Sequence, residues 1–197
     1  MKKQTVYVVD AFTDRAFGGN QAAVCVYKKH DKFSDAVMQR MAAEMNLSET
    51  CFVFPIEDNL FSLRWFTPTT EVPLCGHATL AAAHVLFLRQ KRAPKREKRH
   101  DVLRFRTQKG ELTVRKHPQL KGQLLMDFPA GKPEKVGQMP QNVLQSLAKA
   151  LSIEERHVQE MRQCNVTRKL LVIVDSPQDI LKAKPDAAAI QVRRWGE

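Results

Sequence analysis

Between Cys75 and Leu88 the chain carries Ala78, Leu80, Ala81, Ala82, Ala83, Val85, Leu86, Phe87 and Leu88, apolar on nearly every side of a helix. A helix without a polar face cannot lie on a surface and has to be enclosed by other elements. Strands to enclose it are available on both sides in sequence. Thr5 to Asp10, Ala22 to Tyr27, Thr50 to Phe54 and Phe61 to Phe66 precede it. In the last of these Phe61, Leu63 and Trp65 alternate with Ser62, Arg64 and Phe66, which predicts one buried face. Val102 to Phe105, Leu112 to Arg115 and Gln123 to Phe128 follow it, the first two separated by a turn at Lys109-Gly110. A sheet curled about one buried helix satisfies all of these constraints, in the α+β class.

The rest of the chain predicts a helix capped by Ser34, with Val37, Met38, Met41, Ala42 and Met45 at helical spacing. Three prolines and two glycines between Pro129 and Pro140 mark a linker. The predicted division is an N-terminal domain over 1–128, a linker over 129–140 and a partial second domain over 141–197. In that second part Val143, Leu144, Leu147, Ala148 and Leu151 form an amphipathic helix. Ser152-Ile153-Glu154-Glu155 has the pattern of a capping box and predicts a further helix. Lys169 to Val174 reads as a strand, and Ser176-Pro177 as an N-cap with proline in the first helical position.

With 197 residues, 43% apolar and 27% charged, the composition is that of an ordinary globular protein. No apolar run reaches membrane-spanning length, and Asp10 interrupts the stretch after Met1-Lys2-Lys3 too early for a secretory segment. Four cysteines without regular spacing do not make a disulfide framework, so the expected setting is reduced and cytoplasmic, without a membrane partner. The net charge is +11. Much of it is local, in Arg89, Lys91, Arg92, Lys95, Arg96, Lys98 and Arg99. That run lacks interleaved aromatics and any nucleic-acid motif, and it sits where a helix ends near Pro94. It reads as a solvated basic loop, not a nucleic-acid surface.

Chemistry concentrates just ahead of the buried helix. Trp65 to Ala81 runs from a strand through a loop with Thr67, Thr69, Thr70 and Glu71 into Cys75-Gly76-His77. Backbone N–H groups at a helix start have no internal partner and attract anions, so a small carboxylic acid is the natural ligand. His77 can donate to a substrate oxygen. Cys75 reads as a small packed residue, with a thiol base as the lesser alternative. Cys75 and His77 are two apart and no second pair is spaced to join them, which predicts no metal site. Glu49, between a helix and an apolar strand, is a carboxylate at the edge of a core. Partial desolvation there suits it to take up and return a proton.

Three segments together resemble the PhzF family, the phenazine-biosynthesis isomerases and their relatives. They are Val9-Asp10-Ala11-Phe12-Thr13 with Phe17-Gly18-Gly19-Asn20-Gln21-Ala22-Ala23-Val24, then Met41 to Val53 with Asn46-Leu47-Ser48-Glu49-Thr50, then Trp65 to Ala81 with Gly76-His77. The resemblance implies a diaminopimelate-epimerase-like fold, a rolled, mostly antiparallel sheet around a central helix, with an incomplete second domain of the same type. It implies a cofactor-independent isomerase or epimerase that moves a proton next to a carboxylate or double bond. Glu49 would be the acid/base and His77 would line the site. Asn20, Ser48, Gly76 and Cys75 would bind substrate, although Gln21 stands where the family usually has proline. The related racemases continue their thiol motif as Cys-Gly-Asn, unlike Cys75-Gly76-His77 here. The family's second-domain motif, Asp-Pro-Val-Thr-Gly-Ser-Ala-His, does not occur, and the pattern decays after Asp186. This predicts a C-terminally truncated chain that is an isomerase working as a homodimer. The alternative is a catalytically inactive half-enzyme that binds a protein partner.

Overall fold

The computed structural model describes residues 4–28, 31, 33–94, 98–137, 140–166 and 169–191. Lys95 and Arg96 of the basic run and residues 192–197 lie outside the described residues. Two compact units divide the chain, Met1–Phe128 and Pro129–Glu197.

The first unit is built from β1 (Val6–Ala11), β2 (Asn20–Val26), α1 (Asp35–Met45), β3 (Glu49–Pro55), β4 (Leu60–Phe66), β5 (Glu71–Val72), α2 (Gly76–Arg92), β6 (Val102–Thr107), β7 (Gly110–Lys116) and β8 (Leu124–Asp127). Its strands form one mixed sheet in the order β1-β2-β3-β4-β6-β7-β8, with β5 on β4. β2 with β3 and β4 with β6 are parallel, and the other pairs are antiparallel. α2 packs against β1, β2, β3 and β8, so the sheet curls around it. This is the rolled α+β architecture that the sequence predicts.

Strand alternation sorts the side chains into two layers. Val24, Cys51, Val53, Leu63, Trp65, Leu103, Phe105 and Val114 point inward to Ala78, Ala81, Ala82 and Val85 of α2. Alanines on α2 let the sheet approach the helix closely, and each fully buried large side chain contributes about 1.5–3 kcal/mol. On the other face Cys25, Tyr27, Phe52 and Phe66 pack under Met38 and Ala42 of α1. β4 is therefore covered on both sides, and Phe66 is buried although the alternation assigns it to the polar face. α2 emerges at its far end, where Leu88 is exposed and Arg89, Lys91 and Arg92 occupy the last turn. Cations there complement the helix dipole.

Two turns bring the functional segments into place. α1 starts at Ser34, whose Oγ accepts from Val37 N–H, and ends at Asn46 in the left-handed region (φ 50°). The chain reverses there and enters β3 at Glu49, which is the first residue of the strand and not a residue between helix and strand. Gly19 has φ +74°, and a Cβ there would lie 2.2 Å from Ala11 O. Gly19→Ala is expected to destabilise the unit by about 1–3 kcal/mol and to displace Asn20. A melting-temperature drop together with weakened ligand binding would verify this, and an unchanged melt would contradict it.

The second unit holds β9 (Glu134–Lys135), α3 (Gln141–Leu151), a 3-10 turn (Glu155–His157), β10 (Val158–Cys164), β11 (Lys169–Val174), α4 (Pro177–Lys182) and α5 (Ala187–Gln191). Its sheet runs β11-β10-β9, all antiparallel. β9 lies inside the stretch that the sequence reads as linker. The predicted helix after Ser152 is not formed. Ser152 instead ends α3 in the left-handed region, not the extended conformation of an N-cap residue, and its Oγ donates to Lys184 O. The residues beyond it enter β10. Ser176 does cap α4 as expected, in a reciprocal box with Asp179 and with Pro177 at the first position. Among the described residues no helix is long and apolar enough to cross a membrane.

Candidate active site

Glu49 opens β3, its Cα in register with Ala22 of β2. Parallel pairing of β2 and β3 sets their N-terminal ends side by side, so Asn20, Gln21, Ser48 and Glu49 gather at one rim of the sheet. α2 begins at the same rim, with Cys75 as its N-cap residue and His77 in its first turn. His77 links the two elements. Its Nε2 lies 3.2 Å from Glu49 Oε2 and 3.3 Å from Ser48 Oγ. Its Nδ1 lies 3.5 Å from Cys75 Sγ. Ser48 Oγ in turn faces Asn20 Oδ1 at 3.4 Å and Gln21 O at 3.3 Å. Five of the six residues singled out from the sequence thus form one connected set, and Gly76 adjoins it at the start of α2.

Glu49 is half-buried. Its Oε2 is shut off from water and receives no well-aligned hydrogen bond, with His77 Nε2 as its close neighbour. No side chain caps the start of α2 by a hydrogen bond, and no acidic residue occupies its first turn. That leaves the positive helix end available for an anionic group. Gly76 has room to spare, since a Cβ there would make ordinary contacts with Met126 and Phe128. A pocket of about 390 Å³ opens beside Ser48, between the Phe17–Gly19 loop and the Asn46–Leu47 turn, and Asn20 and Asp10 also line it.

Not every residue of the loop before α2 reaches the rim. Thr67 closes its own turn, its Oγ1 accepting from the N–H groups of Thr69 and Thr70. Glu71 is engaged in a bidentate pair with Arg64, both contacts at 2.7 Å, and Arg64 also reaches Asp35. These groups brace β4, β5 and α1, and only Cys75 and His77 of that loop join Glu49. Asp10 is a residue that sequence reasoning quotes but gives no role. It lines both the rim pocket and a larger cleft of about 510 Å³ beside Leu80 and His84, and its Oδ1 is buried without a partner among the described residues. No spacing signal marks it, because its position follows from the β1–β2 pairing.

Glu49, Cys75 and His77 each offer a donor atom within 4.8 Å of the others, a cluster that spacing in sequence does not reveal. The two imidazole nitrogens point to different partners, Nδ1 to the thiol and Nε2 to the carboxylate. The arrangement as it stands is a chain of proton donors and acceptors. Burial pushes the Cys75 thiol up to about 12, against the opposing pull of the Ala78 and His77 amides, and the nearby Glu49 charge adds to the rise. Burial likewise pushes Cys25 up to about 12 and Cys51 well above its ordinary value. A thiol so held is protonated at neutral pH and is a poor base. Iodoacetamide at pH 8 is therefore expected to leave Cys25, Cys51 and Cys75 unmodified in the folded protein and to label them in urea. Peptide mass spectrometry would read this, and rapid native labelling of Cys75 would contradict it.

Comparison with known proteins bears on the family and the fold. Residues 9–195 match the family described as phenazine biosynthesis-like protein, PhzC-PhzF. A protein named uncharacterized isomerase from Halalkalibacterium halodurans is 38% identical over 191 residues, 97% of this chain and 64% of its own. A second uncharacterized isomerase, from Pseudomonas aeruginosa, is 42% identical over 187 residues, 95% of this chain and 63% of its own. The crystal structure of a PhzF-family protein from Enterococcus faecalis superposes with a TM-score of 0.74 at 34% identity, covering 97% of this chain and 65% of that one. The chain spans under two thirds of the length of these relatives.

Proposed function

The chain belongs to the phenazine biosynthesis-like (PhzC-PhzF) family, and from that membership we propose that it is an isomerase that moves a proton on a small carboxylic acid without a cofactor. The observation that carries this reading is Glu49, a half-buried carboxylate 3.2 Å from His77 at the start of α2. Glu49 takes a proton from a carbon next to a carboxylate or double bond. The C–H electron pair moves into the neighbouring π system, and the same carboxyl returns the proton at the far carbon. The amide end of α2 and His77 bind the substrate carboxylate or the negative charge that develops on it. Asn20 and Ser48 hold a second polar group of the substrate, and Gly76 leaves room beside it. The protonated Cys75 thiol favours a shift by one base on one face over two-thiol racemisation. The setting we propose is the cytoplasm, as a homodimer, where buried thiols stay reduced. Solvent-deuterium labelling of a panel of unsaturated and amino acids, with Glu49→Gln as control, tests this reading.

A second reading, favoured by exposed apolar groups of the second unit, is a catalytically inactive half-enzyme that binds a protein partner. Val166, Leu171, Ile180 and Leu181 of the second unit are exposed apolar groups that such a partner would cover. Light scattering of the purified chain and recovery of a stoichiometric partner would support it, and turnover by the chain alone would remove it.

A further inference from the structure

We propose that Cys75 is a positioning residue: its S–H donates to His77 Nδ1 and so holds the imidazole in the tautomer that carries its proton on Nε2, facing Glu49. The proposal rests on the reading of Glu49 as the acid/base and adds a residue that acts on it through His77.

The argument starts from the atoms around the ring. Nε2 faces two oxygens, Glu49 Oε2 at 3.2 Å and Ser48 Oγ at 3.3 Å. An ionised carboxylate oxygen is acceptor-only. The single hydroxyl hydrogen of Ser48 is drawn the other way, towards Asn20 Oδ1 and Gln21 O, both acceptors. A bare Nε2 would therefore set its lone pair against oxygen lone pairs on both sides. A protonated Nε2 donates to Ser48 Oγ and presents its positive end to Glu49. In neutral imidazole the other nitrogen is then an acceptor that needs a donor. The group 3.5 Å from Nδ1 is Cys75 Sγ. Burial keeps this thiol protonated, so it has a hydrogen to give.

The linkage has a chemical consequence. His77 with its proton on Nε2 stabilises the ionised, proton-accepting form of Glu49. It also gives Nε2–H to hydrogen-bond an oxyanion on a substrate at the rim. The opposite tautomer would present a lone pair to both, favouring a neutral Glu49 that cannot take the substrate's proton and giving the oxyanion no donor. Burial and position account for the choice of residue. Cys75 precedes α2 by one position, and a serine there would supply an equivalent donor.

The test is nitrogen NMR of the full chain labelled with 15N-histidine at neutral pH, with the His77 signals assigned by their loss in His77→Asn. The expected wild-type spectrum has an unprotonated Nδ1 and a protonated Nε2. Cys75→Ser is expected to keep this pattern and Cys75→Ala to lose it, through a mixed or inverted tautomer. In turnover, Cys75→Ala is expected to lower kcat on the order of tenfold, about the contribution of one hydrogen bond, with KM little changed. Cys75→Ser restores it. A wild-type His77 that carries its proton on Nδ1, or on both nitrogens, overturns the proposal, as does an unchanged tautomer in Cys75→Ala. The spectrum does not depend on turnover. If Glu49→Gln remains active the isomerase reading fails while the tautomer result stands, so the two failures are distinguishable.

Discussion

Glu49→Gln is expected to lower turnover by about 10²–10⁴-fold, the range that a positioned general acid–base supplies, while the melting temperature stays close to that of the wild type. Glutamine keeps the shape of the side chain and an oxygen beside His77 Nε2, so packing at the start of β3 is preserved. It cannot take a proton from carbon, so the chemical step is lost. The contact that it alters sets a carboxyl oxygen beside an imidazole nitrogen, and the glutamine oxygen can occupy the same place, so little stability is lost. The comparison between the two readouts is therefore decisive. Loss of activity with an intact melt assigns Glu49 to chemistry. Loss of both would make it a structural residue, and retention of activity would remove it from the mechanism. His77→Ala is expected to fall less far, because it removes a donor near the charge and not the proton acceptor itself.

Phe105→Ala carries the largest expected effect on stability, a loss of about 3–5 kcal/mol. Phe105 has no solvent exposure and lies in the cluster that joins β6 to α2 and β4. Its ring stands 6.0 Å from that of Phe61, and its strand pairs with β4 in the parallel part of the sheet. Removing it opens a cavity between elements that are distant in sequence and that the surrounding sheet is too constrained to fill. The first unit carries most of the buried apolar side chains among the described residues, so its melting transition should shift downward. Differential scanning calorimetry reads this, and a shift equivalent to under about 1 kcal/mol, the scale of a single Ile→Val change, would contradict the assigned core.

How far the sequence alone reaches is clearest at α2 and at Ser152. The all-round apolar character of Ala78 to Phe87 permits one outcome, enclosure, and flanking strands with period-two alternation supply the enclosing sheet. Local signals were sufficient there because each agreed with the tertiary arrangement. At Ser152 the capping-box pattern was equally clear and wrong. α3 ends there in a left-handed residue whose hydroxyl is drawn to Lys184 O, thirty-two residues on, and no local rule anticipates that partner. Phe66 was assigned to a polar face for a similar reason, since α1 covers the outer side of β4 through contacts set by the whole sheet.

The site divides in the same way. Glu49, His77, Asn20, Ser48 and Cys75 were legible as residues because three short segments resemble one family. Their mutual distances were not, since these depend on the parallel register that sets Ala22 beside Glu49. Sequence likewise does not show that Cys75 meets His77 Nδ1, and it makes Thr67 to Glu71 look like part of the site. The turn that Thr67 closes and the Arg64–Glu71 pair take those groups away from α2, which spacing in sequence cannot express.

Solvent-deuterium incorporation by the full chain, followed by mass spectrometry and NMR over a panel of small unsaturated and amino acids, tests the central claim most directly. The account predicts that a substrate acquires one deuterium at the carbon to which the proton returns, and that Glu49→Gln abolishes the labelling. Labelling by Glu49→Gln at the wild-type rate would contradict it.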